Sequence, residues 1–337
     1  PTVAAAWSIL DAARTASRPA SGEHRDEMAF PEEWTAELGH YLGWLVGDGS
    51  VTSTIATVYG SAEDRDEVLP MHQALLEGIN AGRPIKLSEQ ANGTAQLRLS
   101  RGAFRRFLLA LGMHEAKGAD KSVPTSVFEA PPEIVAAFLR GLFDADGTAV
   151  RNDAKGSYVG LGSSSTTLLR ETQMLLSTFG ISSRIYKSRE AREGGYLHRG
   201  ADGEVRYDQR AAYQLRISGP SLDTFVGSIG FGLTRKMTIA QDIVASRTAY
   251  DVDATVRLVE RTDEGVELTY NLSEPRNHSY LANGIVVRNC SEYMSLDNSS
   301  CNLASLNLLK FLKDDDTFDS ETFAKAVEYV ITAMDIS

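Results

Sequence analysis

An internal repeat is the feature of this sequence that most constrains its fold. The segment LRLSRGAFRRFLLALGM at 97–113 aligns without gaps on LRISGPSLDTFVGSIGF at 215–231. A shorter pair, YLGWLVGDG at 41–49 and LRGLFDADG at 139–147, precedes these segments in the same order. Segments that recur in one order indicate a repeated structural unit. The chain is therefore expected to contain two copies of one fold.

The longer segments predict the local structure of each copy. Each reads as a strand that ends in Ser, followed by a helix that ends at a glycine, Gly112 or Gly230, which is a common helix stop signal. The second copy has about 20 more residues than the first, and the charged, Gly-rich stretch at 186–212 accounts for them. We expect this stretch to form a hairpin extension or a loop.

The shorter segments predict a pair of helices that place two carboxylates together. Each contains an internal glycine, Gly43 or Gly141, which costs about 1 kcal/mol relative to alanine and so indicates close contact between helices. Each ends in Asp-Gly. If the two helices pack side by side, Asp48 and Asp146 emerge at the same end. Two such carboxylates can bind a divalent metal, with water and a phosphate oxygen as further ligands.

Each of these motifs also has a simpler interpretation. The stretch DADGTAVRND resembles the start of a calcium-binding loop, but its sixth position is Ala149 rather than glycine. GLGSSS at 160–165 lacks the last glycine of a dinucleotide-binding loop and is better explained as a strand and a turn. A single Asp-Gly is usually only a turn. The occurrence of two, each followed by the longer repeat, favours a functional pair.

These motifs resemble those of the LAGLIDADG homing endonucleases in their single-chain, two-repeat form, over about residues 38–245. The resemblance implies an α+β fold with two pseudo-symmetric αββαββα units whose saddle-shaped sheets bind double-stranded DNA. It also implies that Asp48 and Asp146 bind catalytic Mg²⁺. Lys121 and Lys236 are then the basic residues near the active centre, although a lysine taken alone is more often a solvated surface charge.

The charge distribution and the strand pattern are compatible with DNA binding. The net charge is −11, yet residues 101–250 carry a net charge of +5. The strands AQLRLS and YQLRIS alternate in polarity, and we expect the outward positions to contact DNA. The same side chains could instead keep an edge strand soluble. The expected contact residues are Gln96, Arg98, Gln214 and Arg216.

The segment HSYLANGIVVRNC at 278–290 resembles the C-terminal splicing region of inteins. The side-chain amide of Asn289 can attack its own carbonyl group, which would break the peptide bond before Cys290, and the Cys290 thiol accepts the transferred segment. The resemblance implies that His278 assists. Arg288 stands where the family usually has histidine, and no N-terminal splicing segment is found in the sequence. A separate N-terminal splicing half is therefore the expected partner.

The segment CSEYMSLDNSSCNLASLNLLKF at 290–311 resembles the active-site segment of adenosylcobalamin-dependent (class II) ribonucleotide reductases. The resemblance implies that Cys290 carries the thiyl radical, that Glu292 is a catalytic carboxylate, and that Cys301 belongs to the reducing pair. Adenosylcobalamin is the cofactor expected for the parent reductase but not for this fragment. The rest of the reductase chain is a further expected partner.

The whole sequence is thus interpreted as an intein-containing fragment of a ribonucleotide reductase that begins partway through a gene product. The endonuclease and the reductase precursor are alternative functions, and an insertion that only binds DNA is a third. Two cysteines and the lack of a long apolar run indicate a cytoplasmic protein without a membrane partner. The predicted segments are a linker at 1–40, an endonuclease at 41–250 with repeats at 41–130 and 131–250, a splicing segment at 251–289 and a reductase fragment at 290–337.

Overall fold

The structure is a computed structural model, and the chain divides into two units, Pro1–Val259 and Glu260–Ser337. Each unit is described by itself. The described residues are 3–17, 28–90, 93–115, 118–152, 156–200, 203–247, 260–263, 265–268, 272, 274, 279–282, 285–288 and 304–336.

The first unit begins with helix α1 and then forms the first repeat, whose element order is αββαββα. A short π-helical turn, Asp64–Val68, leads into α3. The elements are α1 (Val3–Ala16), α2 (Ala36–Asp48), β1 (Gly49–Val51), β2 (Ile55–Tyr59), α3 (Leu69–Ile79), β3 (Leu87–Glu89), β4 (Ala95–Leu99) and α4 (Gly102–Ala110).

The second repeat has the same order, with a two-stranded hairpin inserted and a helix added at its end. The inserted strands β8 and β9 pair only with each other among the described strands, which confirms that the extra residues form a hairpin extension. The elements are α5 (Pro132–Asp146), β5 (Gly147–Val150), β6 (Tyr158–Ser163), α6 (Thr166–Thr178), β7 (Ser183–Arg189), β8 (Arg192–Gly200), β9 (Gly203–Gln209), β10 (Ala212–Ile217), α7 (Ser221–Ser228) and α8 (Thr234–Ser246).

The two repeats form equivalent antiparallel sheets. Their strand orders are β1-β2-β4-β3 and β5-β6-β10-β7. In the first sheet β4 lies between β2 and β3, and in the second sheet β10 lies between β6 and β7 in the same way. Along β4 the apolar residues Leu97 and Leu99 are buried, and along β10 Leu215 and Ile217 are buried. The polar residues between them lie on the opposite face of each sheet. The predicted two-repeat α+β fold is confirmed.

Helices α2 and α5 pack with their backbones in direct contact. A Cβ atom built at Gly43 would lie 2.0 Å from the carbonyl oxygen of Phe138, and one at Gly141 would lie 2.0 Å from that of His40. No larger residue fits at either position without a backbone shift. This confirms that the internal glycines allow close contact between the helices.

The contacts also establish the direction of the two helices. Gly39 faces Ile134, Gly43 faces Phe138, and Gly47 faces Ala145. Contacts advance towards the C-terminus in both helices, so α2 and α5 are parallel and end at the same level. The buried side chains around this pair form one continuous apolar core that both repeats share. Its largest members include Tyr41, Trp44, Tyr59, Phe104, Phe107, Phe138, Phe143 and Phe225.

The N-terminal region predicted as a linker contains α1, which packs on the first repeat. Leu10 and Ala13 are fully buried in the shared core. The guanidinium group of Arg106, in α4, donates a hydrogen bond of 3.2 Å to the carbonyl oxygen of Ser17 just after α1. The segment boundaries drawn from the sequence stay predictions.

The second unit contains a two-stranded ribbon and a helix. Strands β11 (Ser279–Ala282) and β12 (Ile285–Arg288) are antiparallel, and α9 spans Ser320–Ile336. At the start of α9, the carboxylate of Asp319 accepts a hydrogen bond from the backbone amide of Thr322. Phe311, Phe318 and Phe323 form an aromatic cluster at the start of this helix. No helix in the described part of the chain is long and apolar enough to cross a bilayer.

The helix contact makes a stability prediction. We expect Gly43→Ala to lower the free energy of unfolding by about 2–3 kcal/mol, because the added methyl group displaces the backbone of α5. Gly78→Ala is the matched control, since a Cβ atom at this position in α3 has no neighbour within 4 Å. That variant should gain about 0.5–1 kcal/mol from helix propensity. Urea unfolding of both proteins measures the difference, and equal stabilities would contradict the interpretation.

Candidate active site

The two motif carboxylates lie at the paired ends of α2 and α5. Asp48 is the last residue of α2, and Asp146 is the last residue of α5. A Cβ atom built at Gly47 would lie 2.6 Å from the Cβ of Ala145 and 3.4 Å from Oδ2 of Asp146. Both aspartates are exposed at the surface. The structure therefore brings together the two residues that the sequence motifs single out.

The electrostatics of this pair favour a bound cation. Partial desolvation by the surrounding protein raises the pKa of Asp48, and the positive charge of Lys121 opposes that shift. Desolvation, and next the negative charge of Asp48, raise the pKa of Asp146 to about 6. Like charges held close together disfavour their own ionisation. A positive ion placed between the carboxylates would relieve this repulsion.

The two predicted lysines occupy similar positions in the two repeats. Lys121 Nζ donates to the carbonyl oxygen of Gly47 at 2.5 Å, and Lys236 Nζ donates to that of Asp144 at 2.6 Å. The last carbonyl groups of a helix lack intrahelical donors and carry partial negative charge. Each lysine is thus hydrogen-bonded to the helix end that carries Asp48 or Asp146. Burial lowers the pKa of Lys236, while nearby carboxylates including Asp144 oppose that effect.

A series of buried, hydrogen-bonded polar side chains runs from Asp144 to Thr57, and the sequence did not predict it. Oδ2 of Asp144 lies 2.9 Å from Nε2 of His40, whose Nδ1 lies 3.0 Å from Nε2 of His72. Nδ1 of His72 lies 2.8 Å from the hydroxyl of Tyr59, which lies 3.1 Å from Oγ1 of Thr57. All five side chains are buried. This series of side chains links the second repeat to the first.

Asp144 also anchors the loop that precedes α8, the helix that carries Lys236. Its carboxylate accepts hydrogen bonds from the backbone amides of Gly232, at 2.9 Å, and Leu233, at 3.3 Å. These residues immediately precede α8, which contains Lys236. Burial, with a smaller effect from His40, lowers the pKa of His72 well below its usual range. The sequence signal that could have indicated the role of Asp144 is its position as an acidic residue inside the apolar run of α5.

An acidic segment of the first repeat contacts the start of α8 in the second. Glu63 forms an ion pair of 2.9 Å with Arg235, and Glu67 accepts a 2.6 Å hydrogen bond from the backbone amide of Thr234. Between them, Asp64 adds negative charge that contributes to the raised pKa of Asp48. The site therefore carries more negative charge than the two motif aspartates alone supply.

The predicted DNA-contact residues lie on the outer faces of the two sheets. Gln96 and Arg98 alternate with buried residues in β4, and Gln214 and Arg216 do so in β10. Gln96 pairs with Val58 across β2, and Gln214 pairs with Gly162 across β6, so the two pairs occupy equivalent strands. The four side chains thus lie on the face of each sheet that is opposite to the buried residues.

The residues expected for splicing and nucleotide reduction lie outside the described residues. Strand β12 ends at Arg288, immediately before Asn289, and β11 begins at Ser279, immediately after His278. Within the described residues, no group of three or more His, Cys, Asp and Glu side chains is arranged to hold a metal ion. The expected residues are His278, Asn289, Cys290, Glu292 and Cys301.

Comparison with known families supports the interpretation of the repeats. Residues 133–230 match the family described as LAGLIDADG-like domain. The second repeat of this chain is thus similar to the LAGLIDADG-like domain family. The match begins in α5 and ends just after α7, so it covers most of the second repeat, and it confirms the predicted family resemblance.

Several curated relatives of the chain are named as ribonucleotide reductases. The chain is 40% identical over 171 residues to a vitamin B12-dependent ribonucleotide reductase of Streptomyces coelicolor, a match that covers 45% of this chain and 16% of the relative. It is 25% identical over 323 residues to the ribonucleoside-diphosphate reductase NrdEB subunit alpha of Bacillus subtilis, covering 86% of this chain and 29% of the relative. The chain thus spans less than a third of either relative.

Two solved structures are similar to parts of this chain. One is I-DmoI in complex with DNA and Ca, with 16% identity, a TM-score of 0.42, and coverage of 61% of this chain and 97% of that chain. The other is the N-terminal LAGLIDADG domain of DUF199/WhiA, with 14% identity, a TM-score of 0.37, and coverage of 67% and 91%.

The raised pKa of Asp146 predicts a pH-dependent stability. The folded protein binds this proton more tightly than the unfolded chain, whose pKa is near 3.8, so stability is lost as the pH rises through about 6. Without divalent metal, we expect Asp146→Asn to raise the free energy of unfolding at pH 8 by about 1 kcal/mol, because solvent screening reduces the full effect. The gain should disappear near pH 4.

Chemical denaturation at both pH values in the presence of a chelator tests this prediction. Asp242→Asn, at an exposed position of α8, is the control for removing a negative charge elsewhere. A variant at Asp146 that is less stable than the parent at pH 8 would contradict a pKa of Asp146 raised by desolvation and by the negative charge of Asp48.

Proposed function

We propose that the LAGLIDADG domain of this chain is a site-specific, Mg²⁺-dependent double-strand DNA endonuclease. The observation that carries the proposal is the convergence of Asp48 and Asp146 at one end of the paired helices. Lys121 from the first repeat and Lys236 from the second lie beside them. The proposed target is the host ribonucleotide reductase gene without its insertion. A cytoplasmic location stays a prediction.

The residues present fit a bound magnesium ion. Two carboxylates with raised pKa values supply oxygen ligands, and their exposure leaves room for water and phosphate oxygens. Asp48 and Asp146 would hold the metal. When bound, it supplies Lewis-acid polarisation of the scissile phosphate and lowers the pKa of a ligated water.

The protein's own side chains contribute charge and position. Lys121 and Lys236 are held by helix-end carbonyl groups, which keeps their ammonium groups beside the aspartates and available to a phosphate group. Preorganised positive charge of this kind stabilises the negative charge that develops on a phosphate during cleavage. Asp144 holds the loop before α8 and thereby positions Lys236.

We further propose that the chain is part of an intein within a ribonucleotide reductase. The names of the curated relatives support this host. In the proposed splicing step, the amide nitrogen of Asn289 attacks its own carbonyl carbon and the peptide bond to Cys290 breaks, which leaves a succinimide and a free amino group on Cys290. Residues 290–337 would belong to the reductase, and we expect no ribonucleotide reduction from them alone.

Substitution at the metal site tests the endonuclease. With Mg²⁺ and DNA that spans the uninterrupted reductase gene, we expect Asp146→Asn to reduce double-strand cutting roughly 100- to 1,000-fold or more, because a metal ligand is lost, while DNA binding persists. Lys121→Met should also reduce cutting without abolishing binding. Asp242→Asn should cut normally.

Gel assays of cleavage and of binding separate the possible outcomes. If the parent protein binds this DNA but does not cut it in Mg²⁺ or Mn²⁺, the chain is a DNA-binding insertion without nuclease activity. If it neither binds nor cuts, the proposed target is wrong.

The splicing segment makes a separate prediction. Arg288 stays protonated and cannot relay a proton as histidine does, so we expect the bond between Asn289 and Cys290 to survive prolonged incubation of the purified 337-residue chain. Mass spectrometry would detect a released fragment that begins at Cys290. Arg288→His should increase its yield, and Asn289→Ala should remain uncut. Rapid release from the parent chain would contradict this account.

A further inference from the structure

An aromatic cluster surrounds one arginine on the outer face of the second sheet. The guanidinium carbon of Arg216, in β10, lies 4.3 Å from the ring centroid of Tyr158 and 5.2 Å from that of Tyr186. These tyrosines belong to β6 and β7, the two strands that pair with β10. A cation held near two electron-rich rings is restricted in its motion. Arg216 is therefore oriented before any ligand arrives.

Hydrogen bonding completes the orientation of this side chain. Nε of Arg216 donates to Oε1 of Gln214 at 2.7 Å. Gly160 lies directly opposite Arg216 on β6, and a Cβ atom there would lie 3.0 Å from both Nε2 of Gln214 and the ring of Tyr158. The glycine thus leaves the space that the cluster fills. The bond from Nε leaves the two terminal nitrogens of Arg216 directed away from Gln214.

A planar pair of guanidinium nitrogens matches one DNA base. Arginine binds the O6 and N7 atoms of guanine in the major groove through two parallel hydrogen bonds. An arginine that is already oriented loses less conformational entropy when it forms them. We infer that Arg216 reads a guanine in the target DNA, with Tyr158, Tyr186 and Gln214 as its positioning residues. This inference rests on the proposed DNA-binding function.

The first repeat lacks this arrangement at the corresponding positions. Arg98 aligns with Arg216, is exposed, and lies opposite Ala56 rather than glycine. Ser88 pairs with Gln96 where Tyr186 pairs with Gln214. Thr54 takes the place of Tyr158, two residues before the strand position opposite the arginine. The two half-sites should therefore be read unequally, with the stricter base requirement on the side of the second repeat.

Selection from a randomised duplex library tests the inference. The full chain, with Ca²⁺ in place of Mg²⁺, should enrich sequences with guanine at one fixed position of one half-site. Other bases there should bind roughly 10-fold or more weakly. Arg216→Ala should lose this preference. Tyr158→Leu should reduce it to a few-fold, and Tyr158→Phe, which keeps the ring, should retain it.

Matched variants separate base reading from general DNA affinity. Arg98→Ala is expected to weaken binding overall but to leave the guanine preference at that position unchanged. Circular dichroism melting of each variant checks that a lost preference does not reflect unfolding. The inference is overturned if the parent shows no such guanine preference or if Arg216→Ala retains it. A parent chain that binds no duplex at all overturns both this inference and the proposed endonuclease, whereas sequence-specific cutting without guanine dependence overturns the inference alone.

Discussion

The direct contact between the backbones of α2 and α5 is the constraint on which the rest of the first unit depends. Side chains at Gly43 or Gly141 would hold the helices apart, and the two repeats could not share one apolar core. Because the helices are parallel and end at the same level, the contact also determines where their last residues lie. The position of Asp48 beside Asp146 is thus a direct result of helix packing.

The same packing creates the electrostatic character of the site. Two helix C-termini meet, so partial negative charges and two carboxylates accumulate in a small volume. Lys121 and Lys236 neutralise part of this charge from opposite repeats, but the pKa of Asp146 remains raised. A pair of carboxylates that repel each other stores a cost in stability that a cation or a phosphate-bound metal removes. The acidic character of the site and the metal binding proposed for it therefore have one physical origin.

Much of this organisation could be predicted from the sequence because local signals carried it. The paired Asp-Gly endings and internal glycines identified α2 and α5, and the alternation of β4 and β10 identified the outward residues. The hydrogen bond between His40 and Asp144 could not be predicted, since it joins positions that are distant in the sequence and only tertiary packing selects the pairing. The stacking of Arg216 between tyrosines was missed for the same reason, because strand register decides it.

The two repeats are alike at the helix interface and differ on the outer faces of their sheets. The helix interface must remain alike in both, since a substitution at either glycine displaces the partner backbone and with it the aspartates. The outer sheet faces carry no such requirement, and Ala56 and Ser88 in the first repeat correspond to Gly160 and Tyr186 in the second. Changes on these faces leave the core and the paired carboxylates unaltered. A duplicated fold can in this way keep one helix interface and its paired carboxylates while its two outer sheet faces become different, which is the asymmetry that the proposed DNA reading uses.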